Sequence, residues 1–417
     1  MGSGCQKGGL VPVCCRSCGE PISSPFLRLG DLPLVDRLVD LDGSYDDEPR
    51  FPLELVLCEV CGLVQITETV EPERLFCDDY PYYSSYSSSW LDHAQHYAEA
   101  VIAEHKLNAE SLVVELASND GYLLRNFKQA GIPVLGIDPA EGPAAVANKQ
   151  GIETRVEFFD TALAARMAEQ GQSADLIVAN NVLAHVADLN GFVAGMATLL
   201  KPTGVITIEV PYLDDLVQKC AFDTIYHEHF CYFSVTALNN LFTRHGLSLN
   251  RVDRLRSHGG SLRLYVEHMV QPDASVDGLL EREVQIGITR PDYFKSFTEQ
   301  VSVKTSELKQ LLKRLRGEGK KIAAYGAAAK GVIMLEVAGI GSELIDYVVD
   351  RNPNKQGKGM PGSHIPIYAP EHMDVQPVDC LLILPWNLRD EIVAQLDDFS
   401  ASGGAFIVAL PTLELFE

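Results

Sequence analysis

The chain has 417 residues, too many for one ordinary hydrophobic core, so two or three domains are expected. Its 57 acidic and 34 basic residues give a formal charge of -23, which would repel a nucleic-acid backbone over most of the surface. No basic segment followed by an apolar run opens the chain and no apolar stretch is long enough to span a bilayer, so we expect neither export nor membrane insertion and predict a cytoplasmic protein.

The order of the predicted elements indicates a multidomain α/β protein. Residues 1–85 combine cysteines with short strand-like runs, whereas residues 86–270 alternate apolar runs with helix-like stretches, which is typical of a doubly wound parallel sheet. Residues 271–318 are predicted to be a helical connector, and residues 319–417 restart the alternation as a second α/β domain. The runs predicted as strands are 112–116, 134–138, 176–179, 205–210, 321–325, 344–349, 380–384 and 405–410.

Two cysteine pairs in the first region have the spacing of a metal site. Cys15 and Cys18 form one Cys-x-x-Cys pair, Cys58 and Cys61 form the other, and a glycine that permits a tight turn follows each pair. Four thiolates complete a tetrahedral shell, so a structural zinc ion is predicted, although four thiolates also suit iron. The alternatives are packed or redox-active thiols, and a nucleic-acid-binding zinc ribbon, which the acidic charge disfavours.

Residues 112–124 read as a strand, a turn of small residues and a helix start. The turn has neither a Gly-x-Gly-x-x-Gly pattern nor a phosphate-binding lysine, which favours S-adenosylmethionine over NAD or ATP. A carboxylate that can hold ribose hydroxyls follows on the next strand, and two asparagines end a later strand, where ligands of open α/β sheets bind. A purely structural strand, turn and helix is the alternative. The predicted cofactor residues are Glu115, Ala117, Ser118, Asn119, Gly121, Leu124, Asp138, Asn180 and Asn181.

A loop after the predicted strand 205–210 concentrates titratable and aromatic groups. Tyr226, His227, Glu228 and His229 are consecutive, and the two histidines at i and i+2 do not form a His-Glu-x-x-His metal helix. Because histidine titrates near neutrality and a carboxylate can orient it, the loop is predicted to be an acid-base site. A structural loop is the alternative.

The last region holds a second candidate ligand site. Gly326, Ala327 and Lys330 lie on a predicted strand, tight turn and helix start, and exposed N–H groups at a helix N-terminus suit a diphosphate. Asp350 and Lys355 follow the next strand and could frame a sugar or a base. Such turns also occur in α/β domains that bind nothing.

Together these segments resemble the sugar 3-C-methyltransferases of deoxysugar pathways over nearly the whole chain. The resemblance also rests on Tyr80-Pro-Tyr82, on His185 and on the run from His258 through Gly259 to Arg263. It implies a zinc-binding N-terminal domain, a central class I S-adenosylmethionine domain and a Rossmann-like C-terminal domain that helps to hold a nucleotide sugar. In that family the residue matching His229 is favoured as general base, whereas the position of His227 varies between histidine and an acidic residue.

The site prediction that follows divides into two groups. The predicted catalytic residues are His229, Glu228, Tyr226, His185 and Tyr80. The predicted substrate-binding residues are Tyr82, His258, Gly259, Arg263, Gly326, Ala327, Lys330, Asp350 and Lys355.

The predicted reaction is methylation of C3 of a nucleotide-linked 4-keto-6-deoxysugar, through an enolate, with thymidine diphosphate as the expected nucleotide. The alternatives are methyl transfer to an oxygen or nitrogen of a nucleotide sugar, a non-catalytic zinc protein that binds S-adenosylmethionine or a nucleotide, and an RNA methyltransferase. No nucleic-acid or membrane partner is expected, and the sequence leaves the oligomeric state open.

Overall fold

The computed structural model describes residues 13–22, 24–43, 45, 48–71, 75 and 83–417, with the backbone alone for Ser88 and His258. In these residues no helix is long and apolar enough to cross a bilayer. The fold is the predicted α/β arrangement, with a small β domain, a central sheet flanked by helices and a second parallel sheet. The predicted domain limits themselves remain a prediction.

The N-terminal domain is built from short antiparallel strands. Its strands are β1 (Val13–Cys14), β2 (Pro21–Ile22), β3 (Leu27–Pro33), β4 (Val39–Asp40), β5 (Arg50–Leu57) and β6 (Val64–Ile66). β3, β5 and β6 form one antiparallel sheet, and the buried residues of β5 and β6 supply its core. A two-residue strand from the central part of the chain, Cys231–Tyr232, adds to β6 as the fourth strand.

The central sheet has five parallel strands and two further strands at one edge. Its strands are β7 (Val113–Leu116), β8 (Val134–Ile137), β9 (Thr154–Arg155), β10 (Ala174–Asn180), β11 (Leu200–Pro211), β13 (Ser248–Leu255) and β14 (Ser261–Glu267), while β12 is Cys231–Tyr232. The order is β13-β14-β11-β10-β7-β8-β9. All four predicted strands of this region are present. β13 and β14 were not predicted from the sequence, and β14 runs antiparallel to both of its neighbours.

Helices cover this sheet, and most begin with a side-chain cap. The helices are α1 (Ser88–His105), α2 (Leu124–Gln129), α3 (Glu141–Lys149), α4 (Thr161–Glu169), α5 (Leu189–Leu199), α6 (Leu213–Gln218) and α7 (Val235–Arg244). Ser87, Asp160, Asp188 and Ser234 accept hydrogen bonds from first-turn N–H groups, which satisfies donors that a helix leaves unpaired. A 3-10 turn, Leu183–His185, follows β10, and another, Phe222–Thr224, follows α6.

The connector is two helices rather than one. α8 (Ala274–Ile286) ends at Gly287, which adopts φ 70° at its C-terminus, and α9 (Lys295–Gly317) follows a 3-10 turn. Apolar residues at helical spacing on α9 are buried, as the periodicity predicts.

The C-terminal domain is a second parallel sheet with an antiparallel edge strand. Its strands are β15 (Ile322–Tyr325), β16 (Val348–Val349), β17 (Lys358–Gly359), β18 (Ile367–Tyr368), β19 (Cys380–Ile383), β20 (Ala405–Val408) and β21 (Glu414–Phe416), and its helices are α10 (Ala329–Ala338), α11 (His372–Val375), α12 (Arg389–Gln395) and α13 (Asp397–Ala401). The sheet order is β18-β16-β15-β19-β20-β21. β17 leaves this sheet and pairs with β4, so the C-terminal and N-terminal domains are joined by backbone hydrogen bonding.

Candidate active site

The four predicted metal ligands converge. Their sulfur atoms all lie within 4.8 Å of one another, and the pairs Cys15–Cys61 and Cys18–Cys58 are each separated by 3.5 Å. A tetrahedral zinc ion about 2.3 Å from each sulfur sets the sulfur atoms roughly 3.8 Å apart, so this donor set fits the ion. A cluster of four thiolates leaves no position for substrate, and its role is structural.

The zinc-binding domain is attached to the loop that carries the candidate general base. β12 immediately follows His229 and Phe230 and pairs antiparallel with β6, three residues beyond Cys61. The backbone N–H of Ile66 also donates to the Phe230 carbonyl oxygen at 3.0 Å. The position of the candidate base therefore depends on the fold of the N-terminal domain.

The predicted cofactor turn adopts a backbone that leaves space for a ligand. Ala117, Asn119 and Gly121 have φ values of 57°, 50° and 78°, which only glycine adopts without strain. The two non-glycine residues are held there by hydrogen bonds, from Ala117 N–H to the Ile137 carbonyl oxygen at 2.7 Å and from Asn119 N–H to Asp138 at 2.8 Å. Non-glycine residues held in such conformations cluster at ligand sites.

Two buried carboxyl groups line this turn. Asp138 is 5% exposed and accepts from two backbone N–H groups, of Asn119 and Ala140, yet a carboxylate has further lone pairs for ribose hydroxyls. Burial raises the pKa of Asp138, and burial together with the Asp138 and Asp120 charges raises the pKa of Glu115 well above its usual value. Glu115 is 1% exposed, and its Oε2 accepts no hydrogen bond from the described residues. The Glu115 Oε2 atom can therefore accept a hydrogen bond from a donor group of a bound ligand.

The segment that precedes α1 folds over the turn. Ser84 N–H donates to the Asn119 side chain at 2.9 Å, and Ser85 N–H donates to Asp120 at 3.2 Å. Ser118 is fully buried, and Leu124 is packed into the core of the central domain with no exposed surface. Leu124 can therefore support the turn by packing, but its side chain has no exposed surface to offer a ligand.

The predicted catalytic loop places three rings together. The His229 Nε2 atom lies 2.9 Å from the Tyr226 hydroxyl, and the ring centroids of His229 and His185 are 4.7 Å apart in a T-shaped arrangement. The Nδ1 atom of His229 lies 2.9 Å from the Thr224 carbonyl oxygen. Because a carbonyl oxygen only accepts, Nδ1 carries the proton in the neutral ring, and Nε2 presents the lone pair that a base requires.

The histidine rings of this loop differ in what surrounds them. Burial lowers the pKa of His185 to about 4, so this ring is neutral near pH 7. His227 is 1% exposed and its Nε2 lies 3.1 Å from the Phe51 carbonyl oxygen, so it points into the N-terminal domain and away from His229. Glu228 is 3% exposed. A small, mostly apolar cavity lies next to His229 and is lined by residues that include Ala184, Thr224 and Tyr232.

The ends of three neighbouring strands bring Asn180, Glu209 and Arg263 side by side, as the pairing registers Asn180–Glu209 and Glu209–Arg263 require. Arg263 donates to the fully buried Glu209 at 2.6 and 2.8 Å, and His93 of α1 lies 2.9 Å from the same carboxylate. These two neighbours lower the pKa of Glu209 against the opposing effect of burial. Arg263 is thus already ion-paired, and His93 is a neighbour that the sequence analysis missed, because helix periodicity carries no signal for it.

The adjacent asparagine also sits at this edge. Asn181 has φ 55°, and its N–H donates to the Glu209 carbonyl oxygen at 2.8 Å. The carboxyl ends of β7, β8, β10 and β11 therefore carry the cofactor turn, Asp138, the asparagine pair and Glu209 along one edge of the sheet.

Trp386 joins the catalytic loop to the C-terminal domain. Its Nε1–H donates to the buried Asp223 at 2.7 Å, and a Cβ atom on Gly259 would lie 2.8 Å from its ring, so this glycine permits close approach. Lys330 lies 5.1 Å from the centre of the Trp386 ring and donates to the Asn387 side chain at 3.0 Å. Burial lowers the pKa of Lys330, while the Asp223 charge opposes this.

Asp350 and Lys355, which were predicted to bind the nucleotide sugar, form hydrogen bonds with the predicted nucleotide-sugar turn. Ala327 N–H donates to Asp350 at 2.7 Å, and the Lys355 ammonium group donates to the Ala327 carbonyl oxygen at 2.7 Å. Gly326 has φ 89°, and a Cβ atom there would approach Pro385 to 2.7 Å. Asp350 and Lys355 therefore shape the turn.

Three predicted residues fall outside what the structure describes. Tyr80 and Tyr82 lie outside the described residues, as does the side chain of His258. One acidic residue beside Glu228, Asp36, was not predicted from the sequence. Burial raises the pKa of Asp36, while Lys355 and the Glu228 side chain lower it. Asp36 and Glu228 are 192 positions apart, so no local spacing could have paired them.

Comparisons with known proteins agree with this arrangement. Family models match residues 15–76 as a zinc binding domain, 90–252 as a methyltransferase domain and 256–411 as a C-methyltransferase C-terminal domain. The chain is 35% identical over 402 residues to the C-methyltransferase NovU of Streptomyces niveus, with 95% of each chain covered. It is 29% identical over 97 residues to a ubiquinone biosynthesis O-methyltransferase of Bartonella quintana (strain Toulouse), which is 23% of this chain and 39% of that protein.

Proposed function

Because the chain belongs to the S-adenosylmethionine-dependent C-methyltransferases that carry an N-terminal zinc-binding domain, we propose that its acceptor is C3 of a nucleotide-linked 4-keto-6-deoxysugar. The observation that carries the proposal is the contact of His229 with Tyr226 and His185. This arrangement offers a base and a hydroxyl donor at one point, which is what enolate formation beside a ketone requires.

The proposed chemistry starts at the His229 Nε2 lone pair. Nε2 removes the proton from C3, and the electron pair of that bond moves toward the ketone oxygen at C4. Tyr226, which otherwise donates to Nε2, turns to this oxygen and stabilises its developing charge, while the neutral His185 ring packs against His229. Tyr80 is also predicted to donate a hydrogen bond to this oxygen.

S-adenosylmethionine, when bound, supplies an electrophilic methyl group on sulfur. The turn at Ala117–Gly121, Glu115 and Asp138 would hold its amino-acid and ribose parts, and Asn180 and Asn181 would hold it at the strand ends. The C3 carbon would take this methyl group as the sulfur–methyl bond breaks and S-adenosylhomocysteine leaves, and alignment of the two carbons would account for much of the rate in such a transfer.

The remaining substrate residues are proposed to hold the nucleotide diphosphate. Lys330 offers a positive charge beside the Trp386 ring, while Gly326, Ala327, Asp350 and Lys355 form the adjoining turn. Arg263, Gly259, His258 and Tyr82 are proposed sugar contacts. The nucleotide is proposed to be thymidine diphosphate.

Family membership favours a carbon acceptor over the alternatives. The match to a C-methyltransferase C-terminal domain supports a carbon acceptor over a non-catalytic ligand-binding protein or an RNA methyltransferase, and the His229–Tyr226 pair supports enolate formation over transfer to a heteroatom. Transfer to an oxygen or nitrogen nevertheless predicts a different product, which the experiment below distinguishes.

The test is mass spectrometry of thymidine diphosphate-4-keto-6-deoxyglucose after incubation with the purified protein in heavy water, with and without S-adenosylmethionine. We expect enzyme-dependent entry of deuterium at C3 without the cofactor, and gain of one methyl group on carbon with it. A methyl group on oxygen or nitrogen, or no methyl gain with a range of keto-sugars, would overturn the proposed acceptor. His229→Asn provides the matched control for exchange.

A further inference from the structure

Trp386 of the C-terminal domain donates a hydrogen bond to a buried carboxyl group beside the catalytic loop. The Nε1 atom of Trp386 lies 2.7 Å from the Oδ2 atom of Asp223. Asp223 has no exposed surface, and Trp386 is 7% exposed. Because both groups are buried, water cannot readily replace a lost partner, and removal of either group would leave the other unsatisfied. The bond therefore holds the two domains in register at this point.

Asp223 is adjacent to the carbonyl group that orients the candidate base. Asp223 and Thr224 both belong to the 3-10 turn Phe222–Thr224, and the Thr224 carbonyl oxygen lies 2.9 Å from the Nδ1 atom of His229. This contact keeps the proton on Nδ1 and leaves the lone pair on Nε2. Displacement of the turn would therefore change the orientation and the tautomer of the ring that is proposed to remove the substrate proton.

Two further contacts hold the Trp386 ring between proposed substrate residues. A Cβ atom on Gly259 would lie 2.8 Å from the ring, and the Lys330 ammonium group lies 5.1 Å from the ring centre. Lys330 also donates at 3.0 Å to the side chain of Asn387, the residue after Trp386. The helix that carries Lys330, α10, packs against the 3-10 turn that contains Asp223. The indole therefore contacts both the proposed phosphate ligand and the support of the base.

We propose that Trp386 is a positioning residue for methyl transfer. Through Asp223 it holds the carbonyl group that orients His229, so the C-terminal domain supports proton removal as well as binding of the nucleotide sugar. The inference rests on the proposed function, in which His229 is the general base and Lys330 contacts the diphosphate. In this role Trp386 transfers no proton and acts through the base.

The first test separates the hydrogen bond of the indole from its ring contacts. Trp386→Phe keeps an aromatic ring against Gly259 and Lys330 but removes the N–H. The affinity for the nucleotide sugar should therefore stay close to that of the wild type, while kcat falls about tenfold, within the range that a misplaced reacting group produces. Tyr347→Phe is the matched control. It removes the hydroxyl donor of a buried ring in the same domain, which bonds to the Gln376 carbonyl oxygen at 2.6 Å, and should leave both quantities unchanged.

The second test changes the same bond from its other end. Asp223→Asn keeps an oxygen acceptor for the indole, whereas Asp223→Ala does not, so Asp223→Asn should retain more turnover than Asp223→Ala. This comparison also serves if Trp386→Phe does not fold. The double variant of Trp386→Phe and Asp223→Ala should lose little more turnover than the more severe single change, because both changes remove one interaction. Additive losses would show that the two residues act separately and would contradict the proposal.

The third test requires neither substrate nor turnover. Nuclear magnetic resonance of protein with nitrogen-labelled histidine distinguishes protonated from unprotonated ring nitrogens, and the spectrum of His229→Asn identifies the His229 signals. The wild type and Tyr347→Phe should carry the His229 proton on Nδ1. Trp386→Phe should show a mixture of the two tautomers, because the Thr224 carbonyl group is no longer held in place.

Three results would overturn the inference: unchanged kcat in Trp386→Phe, a loss confined to nucleotide-sugar affinity, or an unchanged His229 tautomer. The proposed acceptor fails independently of these results. If the wild type transfers no methyl group to carbon of the keto-sugar while the His229 tautomer still depends on Trp386, the acceptor assignment is wrong and the positioning role of Trp386 stands.

Discussion

The Nε2 atom of His229 lies 2.9 Å from the hydroxyl group of Tyr226, while the Nδ1 atom of the same ring lies 2.9 Å from the carbonyl oxygen of Thr224. The second contact fixes the tautomer, because a carbonyl oxygen can only accept. The lone pair of Nε2 is thus directed at Tyr226, and proton transfer from a substrate requires the hydroxyl group to give up this contact. The same movement would bring it to an oxyanion.

His229→Asn should abolish most turnover while both ligands still bind. Asparagine can keep a donor toward Thr224 but cannot accept the proton, and loss of a general base lowers rates by a factor of about 10² to 10⁴. The measurement is single-turnover methyl transfer, with binding of S-adenosylhomocysteine as the control. Near-normal turnover in His229→Asn would exclude the base assignment.

Tyr226→Phe should lower the rate of methyl transfer by a factor of about 10² to 10³, as expected for loss of an oxyanion donor.

Cys58→Ser should remove the metal and lower the thermal midpoint of unfolding. Structural zinc sites supply folding free energy, because the ion binds the folded arrangement of ligands. Activity should fall as well, since β6 pairs with β12 beside the catalytic loop. Metal content and melting are measured together, with the buried Cys380→Ser as the control that keeps its zinc. Full activity in a zinc-free Cys58→Ser protein would contradict this coupling.

Asp138→Asn should weaken binding of S-adenosylhomocysteine by about tenfold to a hundredfold, because hydrogen bonds to charged groups contribute about 1.5–3 kcal/mol each. The amide would also place a donor against the N–H of Asn119 or Ala140. Calorimetric titration gives the affinity. Asp175→Asn is the control, since Asp175 lies at the start of β10, at the opposite edge of the sheet. Equal affinities in the two variants would remove Asp138 from the cofactor site.

Asp223→Asn should stabilise the protein near neutral pH. Burial raises the pKa of Asp223 from its usual value to about 6, so folding disfavours its ionised form. Below pH 3.8 the group is protonated in both states, and stability is lost as pH rises from there through about 6. One pH unit corresponds to about 1.4 kcal/mol, so the loss is roughly 2–3 kcal/mol.

The asparagine side chain keeps an acceptor for the Trp386 N–H and does not ionise. The difference in melting temperature between Asp223→Asn and wild type should therefore grow between pH 4 and pH 7. Asp379→Asn is the control with the opposite sign, because a hydrogen bond from the Lys321 backbone lowers the pKa of Asp379. A difference for Asp223→Asn that is the same at both pH values would show that Asp223 does not titrate in this window.

Lys330→Ala should weaken binding of the nucleotide sugar about tenfold, as expected for the loss of one charged contact to phosphate. The affinity for the cofactor should not change. Equilibrium binding of the nucleotide diphosphate measures both the loss and its dependence on salt. Lys309→Ala is the control, because the Lys309 ammonium group donates to the Gly339 carbonyl oxygen and is not among the proposed substrate contacts. If Lys330→Ala bound the nucleotide sugar normally, Lys330 would not be a ligand contact.

The sequence by itself determined the zinc ligands and most of the sheet strands. Two Cys-x-x-Cys pairs limit how thiolates can meet, and apolar runs between helix-like stretches have one stable arrangement as layers of sheet and helix. It did not determine the edge strand β13, its neighbour β14 or the break between α8 and α9, because these strands lie outside the alternation of parallel strands and helices and a short turn leaves the helical periodicity nearly intact.

Only the tertiary structure decided which distant residues lie beside the predicted catalytic loop. Asp36 meets Glu228, and Trp386 meets Asp223, across separations that no local pattern records. The physical reason is that spacing governs contacts within one turn or strand, whereas these contacts lie between domains, which are also joined by β12 pairing with β6 and β17 pairing with β4. Local sequence patterns identify the candidate functional residues, and the packing of the domains determines which of them lie together.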